Sequence, residues 1–280
     1  PMEKYDLLPK QLLHEGTCTE ANFFEPGFPE VKYLKAVHTA AYVDNLKKLN
    51  LDRKAIRKNG FPLSQELVDR EQIIAQGTIL GCQYAIENGI SFNIAGGTHH
   101  AYSDHGEAFC LLNDQAIGAR YLQANGLAQK ILIVDLDVHQ GNGTAEIFQG
   151  DDSVFTFSMH GAGNYPFRKE VSDLDIAVPD KSDDRIYLAL LKETLPGLIK
   201  KVNPDFIFYL SGVDILETDK LGRLSCTVEG CKERDRFTLE CFRDSEIPVQ
   251  VSMGGGYSPQ IKTIIDAHAN TYRLAQALYF

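Results

Sequence analysis

Short apolar segments alternate with longer amphipathic ones along most of the chain. The short segments have the length of strands and are rich in β-branched and aromatic residues, whereas the longer ones repeat apolar residues at helical spacing. This alternation predicts an α/β protein with helices on both faces of a mostly parallel sheet, which is a three-layer α/β/α architecture. The five predicted strands are residues 91–97, 131–139, 154–160, 206–214 and 249–257.

Capping residues predict where the helices begin and end, because Ser and Thr side chains accept hydrogen bonds from the first turn and glycine favours the backbone that ends a helix. Ser258 followed by Pro259 predicts the start of the last helix, since proline is favoured at the first helical position. The other helices are predicted over 4–13, over 65–88 with Ser64 and Gly89 as caps, over 109–125, over 184–201, and from Thr227 to about Ser245.

The size and charge of the chain narrow the class of protein. The 280 residues, of which 44% are hydrophobic, can bury a sizeable core, and we expect residues 1–280 to form a single domain. The net charge is −10 and no run of Lys and Arg exceeds two residues. This pattern argues against direct contact with nucleic acid or with an anionic membrane.

The cysteines and the apolar segments indicate the cellular compartment in which the protein is located. None of the six cysteines forms a C-x-x-C pair, and their spacing is not that of a small secreted domain, so we interpret them as reduced thiols. The sequence contains no continuous apolar segment long enough for a membrane span and no signal-peptide core at its start. These features predict a cytoplasmic protein.

Polar residues interrupt the predicted strand at 131–139. Asp135, Asp137 and His139 are spaced by two, so they share one face near the end of that strand, and Asp214 ends another predicted strand. Buried carboxylates need a cation or a proton donor. Asp137, His139 and Asp214 can fill three positions of a tetrahedral zinc ion and leave the fourth for water. The alternative is an internal network of salt bridges or caps.

Two further groups suit hydrolysis at a carbonyl. His99 and His100 follow two glycines at a strand end, and they can reach one site only from the loop that those glycines allow. A neutral histidine there can take a proton from metal-bound water and pass it to a leaving amine. Tyr257, which follows three glycines, can donate to a developing oxyanion. A phosphate-binding role for the glycines is weak, because no G-K-[ST] follows.

Several segments together resemble the zinc-dependent histone deacetylase family, which has the arginase-deacetylase fold. An early segment, VHTAAYVDNL (37–46), also resembles that family, so the resemblance covers nearly the whole chain. The glutamine and asparagine in HQGNG, and the short chain, are most similar to class IV and to bacterial histone deacetylase-like amidohydrolases. The segments are, in family order, AGGTHHA (95–101), AFCLLND (108–114), VDLDVHQGNGT (134–144), SGVD with DKLGRL (211–224) and MGGGY (253–257).

The resemblance implies a role for each candidate residue. His100 would be the general base and then the acid, and His99 would be its electrostatic partner, hydrogen-bonded to Asp135. Tyr257 would polarise the scissile amide carbonyl. Asn142 stands where class I members have an aspartate behind the second histidine, which should stabilise imidazolium less and shift the working pKa of His100. The implied zinc ligands are Asp137, His139 and Asp214.

The resemblance also implies a tunnel for the acyl group and structural potassium. Phe109 would form one wall beside Gly97, Tyr165 or Phe167 would form the opposite wall, and Gly255 would also contact substrate. The implied potassium ligands are Asp135, the backbone carbonyls of Asp137 and His139, and Ser158 with Met159. A second potassium site would lie around Phe148, Asp151 and Val154, although Asp151 departs from the hydroxyl residue often found there. The first strand of the family is expected ahead of Pro1.

The function that this resemblance implies is zinc-dependent hydrolysis of an acetyl or longer acyl group from lysine side chains of a protein or peptide. Fe²⁺ can also occupy an Asp, His, Asp site. Small acylated amines such as polyamines are an alternative substrate, and a non-catalytic module that binds acyl-lysine is a second alternative. A binuclear manganese ureohydrolase fits less well, because Gln140, Gly141 and Asn142 follow His139 where further aspartates would be needed.

Overall fold

The computed structural model describes residues 2–280. In these residues six strands alternate with ten α-helices. The strands are β1 (Ile90–Asn93), β2 (Ile131–Asp135), β3 (Val154–Gly161), β4 (Leu174–Val178), β5 (Phe206–Leu210) and β6 (Val249–Ser252). The helices are α1 (Lys4–His14), α2 (Val31–Lys35), α3 (Ala40–Lys47), α4 (Arg53–Asn59), α5 (Gln65–Asn88), α6 (Asp114–Ala124), α7 (Asn142–Ile147), α8 (Asp184–Val202), α9 (Val228–Ser245) and α10 (Ile261–Tyr279). The family strand expected ahead of Pro1 lies outside the described residues.

The six strands form one sheet in the order β1-β6-β5-β2-β3-β4, and every pair of neighbours is parallel. The carboxyl ends of all the strands therefore meet at one edge. The chain proceeds from β2 to β3 and β4 in one direction, and from β5 to β6 in the other. The neighbours β2 and β5, paired with Asp135 opposite Leu210, thus form the switch point at which open α/β sheets bind ligands.

Both faces of the sheet are buried, as the sequence predicts. Ile131 and Ile133 of β2 pack into a core with α5 and α6, whereas Leu132 and Val134 pack into a second core with α8, α9 and α10. All four side chains are at most 1% exposed. This alternation across a strand buried on both sides explains its continuous apolar sequence and confirms the three-layer arrangement.

The predicted caps of two long helices are confirmed. The Ser64 hydroxyl accepts a hydrogen bond from the Leu67 amide at 3.2 Å, and α5 ends at Gly89, whose φ is 84°. The Thr227 hydroxyl accepts from the Gly230 amide at 2.9 Å at the start of α9. Helix α8 extends one residue beyond the predicted 184–201.

The five predicted strands exist; β3 ends one residue later than predicted, at Gly161, whereas the other four end earlier than predicted. Strand β2 ends at Asp135 instead of residue 139, because side-chain carboxylates replace the neighbouring strand as hydrogen-bond acceptors there. The Asp137 amide donates to Asp135 Oδ1 at 3.1 Å, and the His139 amide donates to Asp137 Oδ1 at 3.0 Å. Strand β4 was not predicted, since it lies at the sheet edge, where only one of its five residues is buried.

The predicted start of the helix at 109 is wrong, because α6 begins at Asp114. Ala108 and Phe109 have φ values of 44° and 70°, which a right-handed helix cannot contain. The cap is Asn113, whose side chain accepts a hydrogen bond from the Ala116 amide at 3.1 Å.

The predicted start of the last helix is also wrong. Helix α10 begins at Ile261 after Gln260, two residues beyond Pro259. The Ser258 hydroxyl does not cap this helix and instead lies 2.8 Å from the Thr218 hydroxyl. A short loop therefore separates β6 from α10.

Two expectations about the whole chain can be compared with the described residues. The six cysteines are all free thiols, in agreement with the sequence interpretation. None of the helices within residues 2–280 combines the length and the apolar character that crossing a membrane requires.

Candidate active site

Two carboxylates and one imidazole converge at the switch point of the sheet. Asp137 and His139 follow β2, and Asp214 follows β5; one ligand atom from each lies within 4.8 Å of the others. His139 Nδ1 is 3.1 Å from Asp137 Oδ1 and 3.2 Å from Asp214 Oδ2. The two carboxylates are buried, whereas the His139 side chain is 14% exposed, so the cluster opens to solvent on the histidine side.

Backbone amides fix the orientation of both carboxylates. The Val138 amide donates to Asp214 Oδ1 at 2.9 Å, which joins the end of β2 to the end of β5. The Gly255 amide donates to Asp137 Oδ2 at 2.8 Å. A Cβ atom on Gly255 would overlap the carboxylate of Asp214, so only glycine lets this loop approach. Loops from three strands therefore hold the cluster in place.

The electrostatics of the cluster favour a bound cation. Burial and the neighbouring charge of Asp137 raise the pKa of the Asp214 carboxyl to about 7. Burial lowers the pKa of His139, but hydrogen bonds to Asp137 and Asp214 outweigh it and raise that pKa to about 10. Without a metal the cluster thus retains a proton, which a divalent cation would displace. Two carboxylates and one imidazole form a donor set that suits zinc.

The two neighbouring histidines lie on the loop after β1, as the glycines predict. Gly97 has a φ of 103°, and a Cβ atom there would lie 2.9 Å from the Cα atom of Gly254. The Asp114 carboxylate, at the start of α6, accepts hydrogen bonds from the Gly97 and Thr98 amides at 3.0 and 2.8 Å. Asp114 therefore fixes the loop immediately before His99.

The two imidazoles have different partners and different charges. Their ring centroids are 4.1 Å apart. His99 Nδ1 is 2.6 Å from Asp135 Oδ2, and although burial lowers the pKa of His99, the charge of Asp135 raises it to about 9. His100 Nδ1 is 2.6 Å from Asn142 Oδ1. Burial and the charges of His99 and His139 keep the pKa of His100 well below its usual value, so His100 is the neutral member of the pair.

Three aromatic residues were predicted to line the substrate channel. The Tyr165 ring lies edge-on to His100, with centroids 5.3 Å apart, and its hydroxyl donates to the Glu107 carboxylate. The Phe167 ring is 6.4 Å from Tyr165 and is 85% exposed, which places it farther out. Phe109 is half exposed and packs against Phe61. Of the two candidates for the second wall, Tyr165 is the one beside His100.

Tyr257 lies on the loop after β6 and is 45% exposed. Its amide donates to Asp219 Oδ2 at 2.5 Å, and the Lys220 ammonium lies 5.5 Å from the centre of its ring. These contacts hold its backbone while the side chain faces solvent. Its role as an oxyanion donor stays a prediction.

The residues predicted to bind potassium lie on β2, β3 and the segments that follow them. Asp135 and Ser158 are opposite each other in the register of β2 and β3, and the Ser158 hydroxyl is 3.0 Å from His160 Nδ1. At the second predicted site, Asp151 Oδ2 binds the Arg120 guanidinium at 2.6 Å. This arginine already neutralises Asp151, so the second site offers less negative charge to a cation. Both sites stay predictions.

The sequence did not reveal Arg234, a fully buried cation on α9. Its guanidinium donates to the Gly212 carbonyl at 2.6 Å and to the Leu136 carbonyl at 3.3 Å. These carbonyls precede Asp214 and Asp137 in the chain. Arg234 therefore ties together the two loops that carry the carboxylates, and its partner Asp235 balances its charge.

Lys4 of α1 is a second residue that the sequence did not reveal. It is 5% exposed, and its ammonium donates to the Gly254 carbonyl at 2.9 Å. Burial lowers its pKa to about 8, while the charges of Asp214 and Asp137 act in the opposite direction. A lysine near the start of a chain would ordinarily be interpreted as a solvated one, so no sequence signal identifies it.

The fold and the site together are those of an α/β protein with a parallel sheet and a buried candidate metal centre at the carboxyl ends of its strands. The family model described as "Histone deacetylase domain" matches residues 1–272. The chain therefore belongs to the histone deacetylase family, as its motifs predict, and is a hydrolase of the deacetylase class.

Individual relatives support the same assignment. The chain is 44% identical over 279 residues to an uncharacterised protein of Picosynechococcus sp., covering 100% of this chain and 93% of the relative. It is 27% identical to histone deacetylase 2 of Arabidopsis thaliana, covering 96% and 72% of the two chains. It is 28% identical to the acetoin utilization protein AcuC of Staphylococcus aureus (strain MSSA476), covering 88% and 69%.

A solved structure confirms the expected arginase-deacetylase fold. The HDA15 HD domain superposes with a TM-score of 0.79 and covers 96% of this chain and 82% of its own. The sequence identity is 22%, so this likeness concerns the fold alone.

Proposed function

We propose that this chain hydrolyses the amide bond between an acyl group and the side chain of lysine in a peptide or protein, releasing a carboxylate and a free amine. The observation that carries the proposal is the buried cluster of Asp137, His139 and Asp214 beside a neutral His100. We assign zinc to the cluster because two carboxylates and an imidazole match its preferred donors. Membership of the histone deacetylase family supports the same reaction class.

The protein side chains can perform the proton transfers of this reaction. When bound, zinc would lower the pKa of a coordinated water and polarise a carbonyl oxygen. His100 Nδ1 is engaged with Asn142 at 2.6 Å, so its other nitrogen is the one available to take the proton of the attacking water and return it to the leaving amine. His99, which its pKa of about 9 keeps positively charged at neutral pH, would stabilise negative charge that develops nearby.

The remaining predicted residues would bind the substrate. Tyr257, on its exposed loop, would donate a hydrogen bond from its phenol hydroxyl to the developing oxyanion once substrate covers it. Tyr165 and Phe109 would contact the methylene chain of lysine through their apolar rings. We also propose that Asp135 and Ser158 hold a structural potassium ion, since they are paired in the register of β2 and β3.

Comparing three substrates tests this proposal most directly. Zinc-loaded protein is assayed with an acetyl-lysine peptide, a long-chain acyl-lysine peptide and an acetylated polyamine. His100→Gln should lower kcat by about 10²- to 10⁴-fold while the circular dichroism spectrum is unchanged. His14→Gln, which alters an exposed histidine of α1, is the matched control and should have full activity.

Each contrary result removes a different part of the proposal. Undiminished turnover by His100→Gln would contradict the mechanism. Turnover of the polyamine alone would replace lysine as the substrate class. Binding of the peptide without turnover by any preparation would favour a non-catalytic module, and folded protein that takes up no divalent metal would exclude the zinc assignment.

A further inference from the structure

Glu107 is a buried carboxylate to which neither the motifs nor the mechanism assign a role. It lies in the loop between the two histidines and α6, and it is 6% exposed. Four side chains converge on it. They are Asn142, whose Nδ2 is 3.2 Å from Glu107 Oε1, the Tyr165 hydroxyl, the Lys58 ammonium, and His105, whose Nε2 is 3.4 Å away.

The carboxylate of Glu107 stays ionised in this environment. Burial raises its pKa, but hydrogen bonds from His105, Lys58 and Tyr165 outweigh this effect and lower the pKa to about 2. An ionised carboxylate can only accept hydrogen bonds. Each group that faces Glu107 must therefore present a donor.

This requirement fixes the orientation of the Asn142 amide. Its Nδ2 donates to Glu107 at 3.2 Å and to the Tyr102 hydroxyl at 3.0 Å, while its Oδ1 lies 2.6 Å from His100 Nδ1. Rotating the amide by half a turn would place its oxygen against the carboxylate of Glu107. The Tyr102 hydroxyl, which donates to Glu170 Oε1 at 3.2 Å, could face the rotated amide oxygen only by giving up that hydrogen bond. An ionised Glu107 has no proton to donate, so it is the partner that cannot adapt to the rotated amide.

The orientation of Asn142 in turn determines which nitrogen of His100 carries the proton. Because Asn142 Oδ1 is an acceptor, His100 Nδ1 must be the donor, and Nε2 retains the lone pair that a base needs. The ring is enclosed by His99, His139 and Tyr165, at centroid distances of 4.1, 6.0 and 5.3 Å. On the Nδ1 side of the ring, Asn142 bonds His100 directly, and Glu107 bonds the opposite end of the Asn142 amide.

We propose that Glu107 is a positioning residue that selects the Nδ1–H tautomer of His100 through Asn142. The same carboxylate binds the hydroxyl of Tyr165, so it also holds the aromatic ring beside His100. The backbone supports this arrangement, because Glu107 and Cys110 form an antiparallel bridge and the Phe109 amide donates to the Asn59 carbonyl at 2.6 Å. The proposal concerns the tautomer itself and rests on the proposed function only for its kinetic consequence.

The tautomer is measured by ¹⁵N NMR of zinc-loaded protein labelled at histidine, with the His100 signals assigned from the spectrum of His100→Gln. In the unmodified protein, His100 Nδ1 should carry the proton and Nε2 should not. In Glu107→Gln, whose amide can donate as well as accept, Asn142 is free to rotate and a second tautomer should appear. A proton on Nε2 in the unmodified protein, or the same tautomer in both proteins, would overturn the proposal.

Kinetics provide a second measurement with matched controls. Glu107→Gln should lower kcat by about 10- to 100-fold with little change in KM, as for other residues that orient a catalytic group. Asp104→Asn, in the same loop with a 67% exposed side chain that bonds His105, should leave kcat unchanged. Tyr165→Phe removes a bond to Glu107 but not to Asn142, and should leave the tautomer unchanged.

The two measurements separate this proposal from the proposed function. If no acylated substrate is hydrolysed, the proposed function fails, and the NMR comparison still decides the role of Glu107. If substrate is hydrolysed but Glu107→Gln has the same kcat as Asp104→Asn and the same His100 tautomer as the unmodified protein, the proposed function stands and the role of Glu107 is refuted.

Discussion

Replacing Arg234 by methionine should destabilise the protein and weaken its metal site together. Arg234 is fully buried on α9, and its guanidinium makes five hydrogen bonds, among them one to Asp235 at 2.9 Å and one to the Gly212 carbonyl at 2.6 Å. Methionine has a similar length and fills the space without a charge. The substitution therefore removes the cation and leaves the carboxylate of Asp235 buried.

The expected loss of unfolding free energy in Arg234→Met follows from the contacts that Asp235 keeps and the one that it loses. Asp235 keeps hydrogen bonds from the Tyr209 hydroxyl at 2.5 Å and from the Thr271 hydroxyl at 2.8 Å, but it loses its only charged partner within α9. Breaking a buried ion pair from one side costs about 3–5 kcal/mol. Since natural domains unfold with a free energy of about 5–15 kcal/mol, this is a large share of the total.

The assay is urea unfolding of the metal-free protein at neutral pH, with Arg236→Met as the matched control. Arg236 lies two residues farther along α9 with a 41% exposed side chain, so its substitution should change the free energy of unfolding by less than about 0.5 kcal/mol. Arg234→Met/Asp235→Asn should recover part of the loss, because it removes the unpaired charge. Zinc affinity, measured by competition with a chelator, should fall by about 10- to 100-fold in Arg234→Met.

Two results would refute this reasoning. A loss in Arg234→Met below about 1 kcal/mol, or one equal to that in Arg236→Met, would show that the pair contributes no more than an exposed one. A double variant less stable than Arg234→Met would show that the unpaired charge of Asp235 is not the cause of the loss.

Three further outcomes are expected. Zinc should raise the midpoint of thermal unfolding in proportion to the logarithm of its free concentration, and Asp214→Asn should abolish the rise; an equal rise in the variant contradicts the ligand assignment. Glu15→Gln should cost up to about 1 kcal/mol at neutral pH, since its partner Arg273 is partly exposed. Hydrogen bonds from Arg273 lower the pKa of Glu15 from 4.5 to about 2. The difference in unfolding free energy between the unmodified protein and Glu15→Gln should therefore be complete above pH 4.5 and disappear as the pH falls through 2. A difference that persists below pH 2 in urea unfolding contradicts this. Ser64→Ala should cost about 1 kcal/mol in urea unfolding through loss of the cap on the Leu67 amide, and a cost equal to that of Ser64→Gly contradicts it.

The parts of the fold that the sequence predicted are those whose signal is local. Strand β2 is apolar on both faces and α5 has a serine at one end and a glycine at the other, so a few consecutive residues determine each. The missed features depend on distant partners. The helix predicted from 109 fails because the Phe109 amide bonds the Asn59 carbonyl, and β4 has too few buried residues to be recognised without β3 beside it.

The residues of the candidate site also differ in whether the sequence alone could identify them. Asp137, His139 and Asp214 could be assigned to one site from the sequence, because parallel strands bring their carboxyl ends to a common edge. Arg234 and Lys4 could not, since Arg234 bonds a carbonyl 98 positions away and Lys4 bonds one 250 positions away. Nothing in the sequence near either residue distinguishes it from a solvated cation.

Asn142 shows how a predicted departure from the family pattern changes meaning once its surroundings are known. From the sequence, an amide in place of the class I aspartate implied weaker stabilisation of a protonated His100. The structure places a carboxylate, Glu107, 3.2 Å behind that amide. Negative charge is therefore still present, but Asn142 separates it from the imidazole of His100. At this distance the charge attracts a proton on His100 more weakly, while it still orients the amide of Asn142. An aspartate in contact with the ring both attracts a proton and orients the ring, whereas here Asn142 with Glu107 would orient His100 while leaving its pKa low, which suits a base that must remain neutral until the reaction begins.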